Sequence, residues 1–232
     1  MELKILYEDN HLIAVYKPAG ILVQEDKTGD PSLLDQVKYY LKNKYHKPGN
    51  VYLGLIHRLD RPVSGIILFA KTSKGASRLS EQFRNHEVEK IYHALVVGKP
   101  KNDKDTLIHF INKDEKINKV SVTESPRLGG VGVGSPNSGQ RAELFYETLK
   151  TNDKYSLLKI KLGTGRSHQI RAQLSAIGCP IVGDVKYGGE DTGKQLLLMA
   201  TTLRFKKATE DEDVELNLDI PEEWLLFVSL PS

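Results

Sequence analysis

This 232-residue chain holds one cysteine, Cys179. That excludes an internal disulfide and any zinc site built on several cysteines. Long apolar runs are missing as well. Stretches such as Gly65 to Ala70 and Leu196 to Ala200 fall far short of the roughly 20 residues a membrane span requires. The opening MELKILYEDN alternates polar and apolar residues and lacks the apolar stretch of a secretory signal. These absences point to a cytoplasmic chain that makes no use of a membrane. No internal repeat appears, and no Gly- or Pro-rich linker divides the chain. Its 39% apolar and 27% charged content suits one large globular domain, or two small halves sharing a core.

Basic residues are absent from the tail. All 33 Lys and Arg precede residue 208, and eight acidic residues follow it: Glu210, Asp211, Glu212, Asp213, Glu215, Asp219, Glu222 and Glu223. The body therefore sets 33 basic residues against 22 acidic ones, a net charge of +11 where the whole chain has +3. A basic body with an acidic tail fits contact with a phosphate backbone by one face. The same lysines also suit ordinary surface solvation, and charge alone leaves both readings open.

The local patterns give mostly strands. Leu3 to Tyr7 and His11 to Tyr16 read as a strand pair stopped by Lys17-Pro18-Ala19-Gly20. Pro31 and Ser32 open a helix with a Ser32/Asp35 capping box and an apolar stripe at Leu33, Leu34, Val37, Tyr40 and Leu41. Lys42 to Asn50 reads as a loop. Gly65 to Ala70 is a strand, and Ser73 to Asn85 is a helix with Ala76, Leu79 and Phe83 on one face. Lys90 to Val97 is a strand that puts Tyr92, Ala94 and Val96 together. Further strands are predicted at Thr106–Ile111, Lys119–Thr123, Ala142–Leu149, Tyr155–Leu162, Leu196–Phe205 and Val214–Leu218. Residues 124–140 form a Gly-rich surface loop without the spacing of a phosphate-binding loop. Ser167 is placed to cap a helix His168–Ile177 that Gly178 closes. Strands with a few inserted helices predict an α+β fold with a large mixed, mainly antiparallel sheet, flanked by helices and loops.

Three segments concentrate polar chemistry. Ile56-His57-Arg58-Leu59-Asp60-Arg61-Pro62-Val63-Ser64-Gly65 sets one carboxylate between two arginines and a histidine, just before an apolar strand. Neighbouring guanidinium groups favour ionised Asp60, and such a carboxylate can act as nucleophile or base. A structural Asp–Arg pair at the turn leading into the strand accounts for the same residues. Gly163-Thr164-Gly165-Arg166-Ser167-His168-Gln169-Ile170-Arg171 offers a tight turn and the free N–H groups of a helix start, suited to an anion. His168 and Arg171, three apart, can share one side of that helix. An Arg-capped structural turn explains this segment equally well. In Lys90-Ile91-Tyr92-His93-Ala94-Leu95-Val96, Tyr92 is either core or a ring on which an extruded base stacks.

Taken together, IHRLDRPVSGIILFAKT, KIYHALVVG and LGTGRSHQIRAQLSAIGCPIVGDVKYGG resemble, in order, the sequence blocks of the RluA family of pseudouridine synthases. The opening pair ending Tyr16-Lys17-Pro18-Ala19-Gly20 and the late strand Leu197-Leu198-Met199-Ala200 match as well, so the resemblance covers nearly the whole chain. It implies a pseudouridine synthase fold with an active-site cleft across the sheet; residues 1–232 are expected to form a single catalytic domain, departing from the many relatives that carry a separate N-terminal RNA-binding domain. It implies Asp60 as the catalytic carboxylate and Arg166 as its ionic partner and substrate contact. Tyr92 would stack on the target uracil, and Arg58 would help fill the space a flipped base leaves. His57, Lys90, His168, Gln169 and Arg171 are implied as supporting residues.

The expected reaction is isomerisation of specific uridines in ribosomal or transfer RNA. No redox step or hydrolysis is involved, so no cofactor and no metal are expected, and the chain is expected to work as a monomer. Two routes remain open: a covalent adduct with the carboxylate, or a glycal-like intermediate. An RNA-binding protein on the same fold without activity, or an unrelated Asp-dependent hydrolase, are the competing readings. The hydrolase needs a second carboxylate, which the motifs do not supply. Pro62, Val63 and Met199 depart from the family pattern, with none of them at Asp60, Tyr92 or Arg166.

Overall fold

The computed structural model describes residues 3–124, 139–193 and 195–229. In chain order the elements are β1 (Ile5–Glu8), β2 (Leu12–Lys17), α1 (Leu33–Lys44), β3 (Gly54–Leu55), β4 (Ser64–Ala70), α2 (Ser73–Arg84), β5 (Glu89–Val97), β6 (Lys104–Asp114), β7 (Lys119–Thr123), β8 (Gln140–Thr151), β9 (Tyr155–Leu162), α3 (Gln169–Ala176), β10 (Leu198–Lys206), β11 (Asp213–Asn217) and α4 (Glu222–Ser229). The α+β class is the one the element order predicts. The chain divides into two compact units, Met1–Lys90 with Met199–Asp219 and Ile91–Leu198 with Ile220–Ser232. Within the units every described ladder is antiparallel except a short parallel one between β4 and β10.

In the first unit β4 is the central strand. One edge pairs with β2 from Leu12↔Ala70 to Lys17↔Gly65. The other edge takes β10 at Ser64 and Gly65 and β3 at Phe69 and Ala70. Only glycine fits where β10 approaches: Gly65 has φ +126, and a Cβ there would stand 2.2 Å from the Ala200 carbonyl oxygen. Leu12, Ala14, Ile66, Leu68 and Ala70 form one apolar cluster with Leu79 of α2 and Leu203 and Phe205 of β10. The predicted capping box of α1 is present, and Leu33, Val37 and Leu41 are buried. The helix continues three residues beyond Leu41, into the stretch the sequence assigns to a loop. Glu8 explains the extension, since it accepts hydrogen bonds from Tyr40 (3.1 Å), Lys44 (2.7 Å) and Tyr45 (2.6 Å).

The acidic tail does not extend away from the body. It folds back as the β10–β11 hairpin, where Lys207 pairs with Glu210 (2.9 Å) and Glu212 (2.7 Å), Lys206 with Asp211, and Arg204 with Glu215. Those acids offset their own neighbours and leave the basic excess to the rest of the chain.

In the second unit β5, β9, β8, β6 and β7 pair in that order. Tyr92, Ala94 and Val96 of β5 are all buried, as their alternation predicts. Helix α4 is absent from the sequence reading. It is held by an edge-on contact of Phe227 with Tyr155, ring centroids 5.3 Å apart, and by the Asn152 amide donating to the Phe227 carbonyl (2.9 Å). Residues 125–138 of the Gly-rich stretch lie outside the described residues. No helix among the described residues is long and apolar enough to cross a membrane.

Candidate active site

Asp60 stands in the turn between β3 and β4, where the Val63 N–H donates to the Asp60 carbonyl at 3.0 Å. Beneath that turn lies a residue the sequence marked only as the end of a strand. Lys17 is completely buried, and its ammonium donates to the carbonyls of Pro18 (3.1 Å), Arg61 (3.0 Å) and Val63 (2.6 Å). A buried ammonium is tolerated only when its protons are matched to acceptors in this way. Burial pushes the Lys17 pKa down to about 8, Asp60 pulls it up, and Arg61 pushes it down. A charge-assisted peg thus fixes the backbone on the C-terminal side of Asp60 and attracts its carboxylate.

The other cations of this segment have different partners. Arg61 donates to the Gly20 carbonyl (3.0 Å) and pairs with Asp30 (2.7 Å), and Gly20 N–H returns a bond to the Arg61 carbonyl (2.8 Å). Arg61 therefore ties the loop after β2 to the turn, where the sequence offered it as a neighbour for Asp60. Arg58 is exposed. The departures sit in the framework: Val63 is buried and lends its carbonyl to Lys17, and Met199 is buried opposite Ser64.

His57 occupies a gap in the β4 edge. Its Nε2 accepts from the Leu68 N–H at 3.0 Å, between the stretches paired with β10 and β3. The ring stacks on Phe83 with centroids 4.9 Å apart, and Lys90 lies 5.6 Å from the centroid of that same Phe83 ring. The accepting nitrogen must stay unprotonated, and burial with the Lys90 charge pushes the His57 pKa down to about 3. Burial lowers Lys90 as well. A depressed histidine pKa gives stability that is fully present above about pH 6.5 and is lost as pH falls toward 3, because the unfolded chain takes up a proton the folded one refuses. His57→Gln keeps an acceptor without the titration. Between pH 6.5 and 4, the wild type should lose stability faster than this variant, by up to about 1.4 kcal/mol per pH unit. Denaturant titrations at several pH values check this, and equal losses would remove the assignment.

The second unit carries the other motif. Gly163 and Thr164 N–H groups both donate to the Glu143 carbonyl (3.0 and 3.1 Å), and Glu143 N–H donates to Thr164 Oγ1 (2.9 Å). Gln169 completes the stitching: its Oε1 accepts from Thr164 Oγ1 (2.7 Å) and Arg166 N–H (3.0 Å), and its Nε2 donates to the Glu143 carbonyl (2.9 Å). This overturns Ser167 as the cap of α3. The N-cap is His168, in the left-handed region at φ 52 and without a side-chain cap bond, and the helix begins at Gln169. Gln169 does the work a capping serine would do, from inside the helix. The Arg166 backbone is held firmly, and its exposed side chain reaches the Arg141 carbonyl through Nε at 3.5 Å.

His168 and Arg171 share a side of α3, and both meet Tyr187. His168 Nδ1 is 2.7 Å from the Tyr187 hydroxyl, and the Arg171 guanidinium lies 5.0 Å over the ring. Arg171 also forms a buried fork on Asp184, with Nε and Nη2 donating at 2.8 and 2.7 Å. Tyr187 accepts from the Val120 N–H at 2.8 Å. The motif thus gives an exposed Arg166 whose N–H is held by Gln169, while His168 and Arg171 engage Tyr187 and Asp184. Tyr92 is buried in β5 opposite Ile160.

The first unit thus holds Asp60 on a pegged turn, and the second holds Tyr92 in a strand and Arg166 on a stitched loop. The sequence model of the RNA pseudouridylate synthase family matches residues 11–176, and the chain belongs to that family, whose members are isomerases acting on RNA. Among curated relatives, the tRNA pseudouridine synthase C of Haemophilus ducreyi is 35% identical across 97% of this chain and 93% of that protein. The ribosomal large subunit pseudouridine synthase C of Rickettsia bellii is 32% identical across 94% of this chain and 68% of that protein. Among solved structures, human RNA pseudouridylate synthase domain containing 4 aligns with a TM-score of 0.79 at 25% identity, covering 99% of this chain and 95% of that one.

Proposed function

We propose that this chain isomerises specific uridines to pseudouridine in transfer or ribosomal RNA, with Asp60 as the catalytic carboxylate. The observation that carries the reading is the Lys17 peg under the Asp60 turn, in a chain of this family. The bond from ribose C1′ to uracil N1 breaks, the uracil turns, and a bond from C1′ to C5 forms. The C5 proton then leaves and N1 ends protonated, so atoms and electrons balance without a co-reactant. Asp60 acts at the ribose, either as nucleophile on C1′ or as the base that removes a sugar proton. Tyr92 stacks on the target uracil after it leaves its helix, and Arg166 and Arg58 hold the substrate. The balance supports a chain that works without cofactor or metal. We take residues 1–232 to act as one catalytic domain, as a monomer, in the cytoplasm where transfer and ribosomal RNA are found. Mapping pseudouridine in total RNA from cells with and without this gene tests the reading. One or more sites in transfer or ribosomal RNA should vanish on deletion, and an unchanged map would count against it.

A further inference from the structure

Helix α1 carries a basic aromatic face with no part in the chemistry described so far. Leu33, Val37 and Leu41 turn into the core, while Tyr39, Asn43 and Lys44 are exposed and Gln36 and Tyr40 are half-buried. The latter five line an open groove of about 800 Å³ together with Leu3 and Asp35. Tyr39 is the most exposed aromatic residue among those described, at 70%.

We infer that this face binds a single-stranded segment of the substrate RNA, outside the reacting uridine, with Tyr39 as a stacking platform for one base. The inference rests on the RNA-modifying function proposed above. Charge complementarity is the first argument. Beside the groove, Lys38 adjoins Tyr39 and Lys42 stands one helical turn from it, and residues 36–47 hold no acid, a local density that suits a polyanion. In the groove itself the charges are Asp35 and Lys44, and Lys44 pairs with Glu8. Lining chemistry is the second. Leu3 is the one aliphatic side chain among the groove's residues, whereas a groove for a protein helix needs several aliphatic anchors. Tyrosines with amides beside them offer a base a ring to stack on and groups to meet its edge.

Rigidity is the third argument. Glu8 accepts from Tyr40, Lys44, Tyr45 and also Lys71 (2.7 Å), so the C-terminal half of the face is fixed before RNA arrives. Its N-terminal end is tied toward the Asp60 turn, since Leu33 N–H donates to Leu22 (2.8 Å) and Arg61 pairs with Asp30 (2.7 Å).

The test measures binding of the full chain to bulk transfer RNA and to an unstructured oligouridylate over a series of salt concentrations. Tyr39→Ser should weaken oligouridylate binding by about tenfold, and Tyr39→Phe should keep it, because stacking needs the ring alone. Lys38→Gln with Lys42→Gln should flatten the plot of log affinity against log salt by roughly 0.7 per lysine. Lys101→Gln with Lys116→Gln removes the same charge from exposed positions elsewhere and should leave affinity and slope as they were. Wild-type binding by Tyr39→Ser, or an equal loss in the two lysine pairs, would overturn the inference. So would a dimer of the chain that Tyr39→Ser dissociates, since the groove would then hold a second copy. If Tyr39 governs binding but no pseudouridine forms, the proposed reaction fails and this surface stands; if pseudouridine forms and Tyr39→Ser binds normally, only this surface fails.

Discussion

Asp60→Asn should leave a folded protein that forms no measurable pseudouridine, a loss of at least about a thousandfold in rate. An amide matches the carboxylate in shape but can neither attack C1′ nor take a proton from the sugar. The fold should survive because the turn is built from other bonds: Val63 N–H to the Asp60 carbonyl, and Lys17 to the carbonyls of Arg61 and Val63. The loss should therefore appear in kcat, with RNA binding nearly unchanged, as expected for an interaction made in the transition state. A denaturation midpoint near that of the wild type, measured with the activity, separates lost chemistry from lost structure.

The second large effect concerns stability. Arg171→Leu leaves Asp184 buried without its forked partner. Breaking a buried pair from one side costs about 3–5 kcal/mol, which for a chain of this size lowers Tm by about 10 °C. Arg171→Leu combined with Asp184→Leu should regain a good part of this, because the cost lies mainly in the stranded charge. If the double variant were no more stable than the single one, the pair would be doing more than neutralising itself. Loss of the Arg171 contact with Tyr187 would then be the explanation.

Much of this fold is legible in the sequence, and the misses share a cause. Period-two and helical patterns located most strands and the first two helices, because each has a continuous buried face of local origin. The start of α3 was misread because Ser167 has the right side chain, while the bonds that hold the turn come from Gln169 and from Glu143 in another strand. The last turn of α1 depends on Glu8, more than 30 residues away. Helix α4 has acids in its first turn at Glu222 and Glu223, a start signal that the strand-rich reading passed over. Lys17 is the miss with consequence. A lysine closing a strand looks like a surface residue until carbonyls 44 and 46 positions further on converge on it, and no local pattern reports such a convergence. Asp60, Arg58, Arg166 and Tyr92 are assigned from their motif blocks alone, since their local chemistry leaves structural readings open and the folded structure leaves their roles to the experiments proposed.

The central claim is that the Asp60 carboxylate drives breakage and re-formation of the glycosidic bond. RNA carrying tritium at uracil C5 tests it most directly, because that hydrogen must leave when C5 becomes bonded to the ribose. With unmodified transfer and ribosomal RNA as substrate, the wild type should release one tritium for each uridine modified, and Asp60→Asn should release none. Release by Asp60→Asn at the wild-type rate would contradict the account.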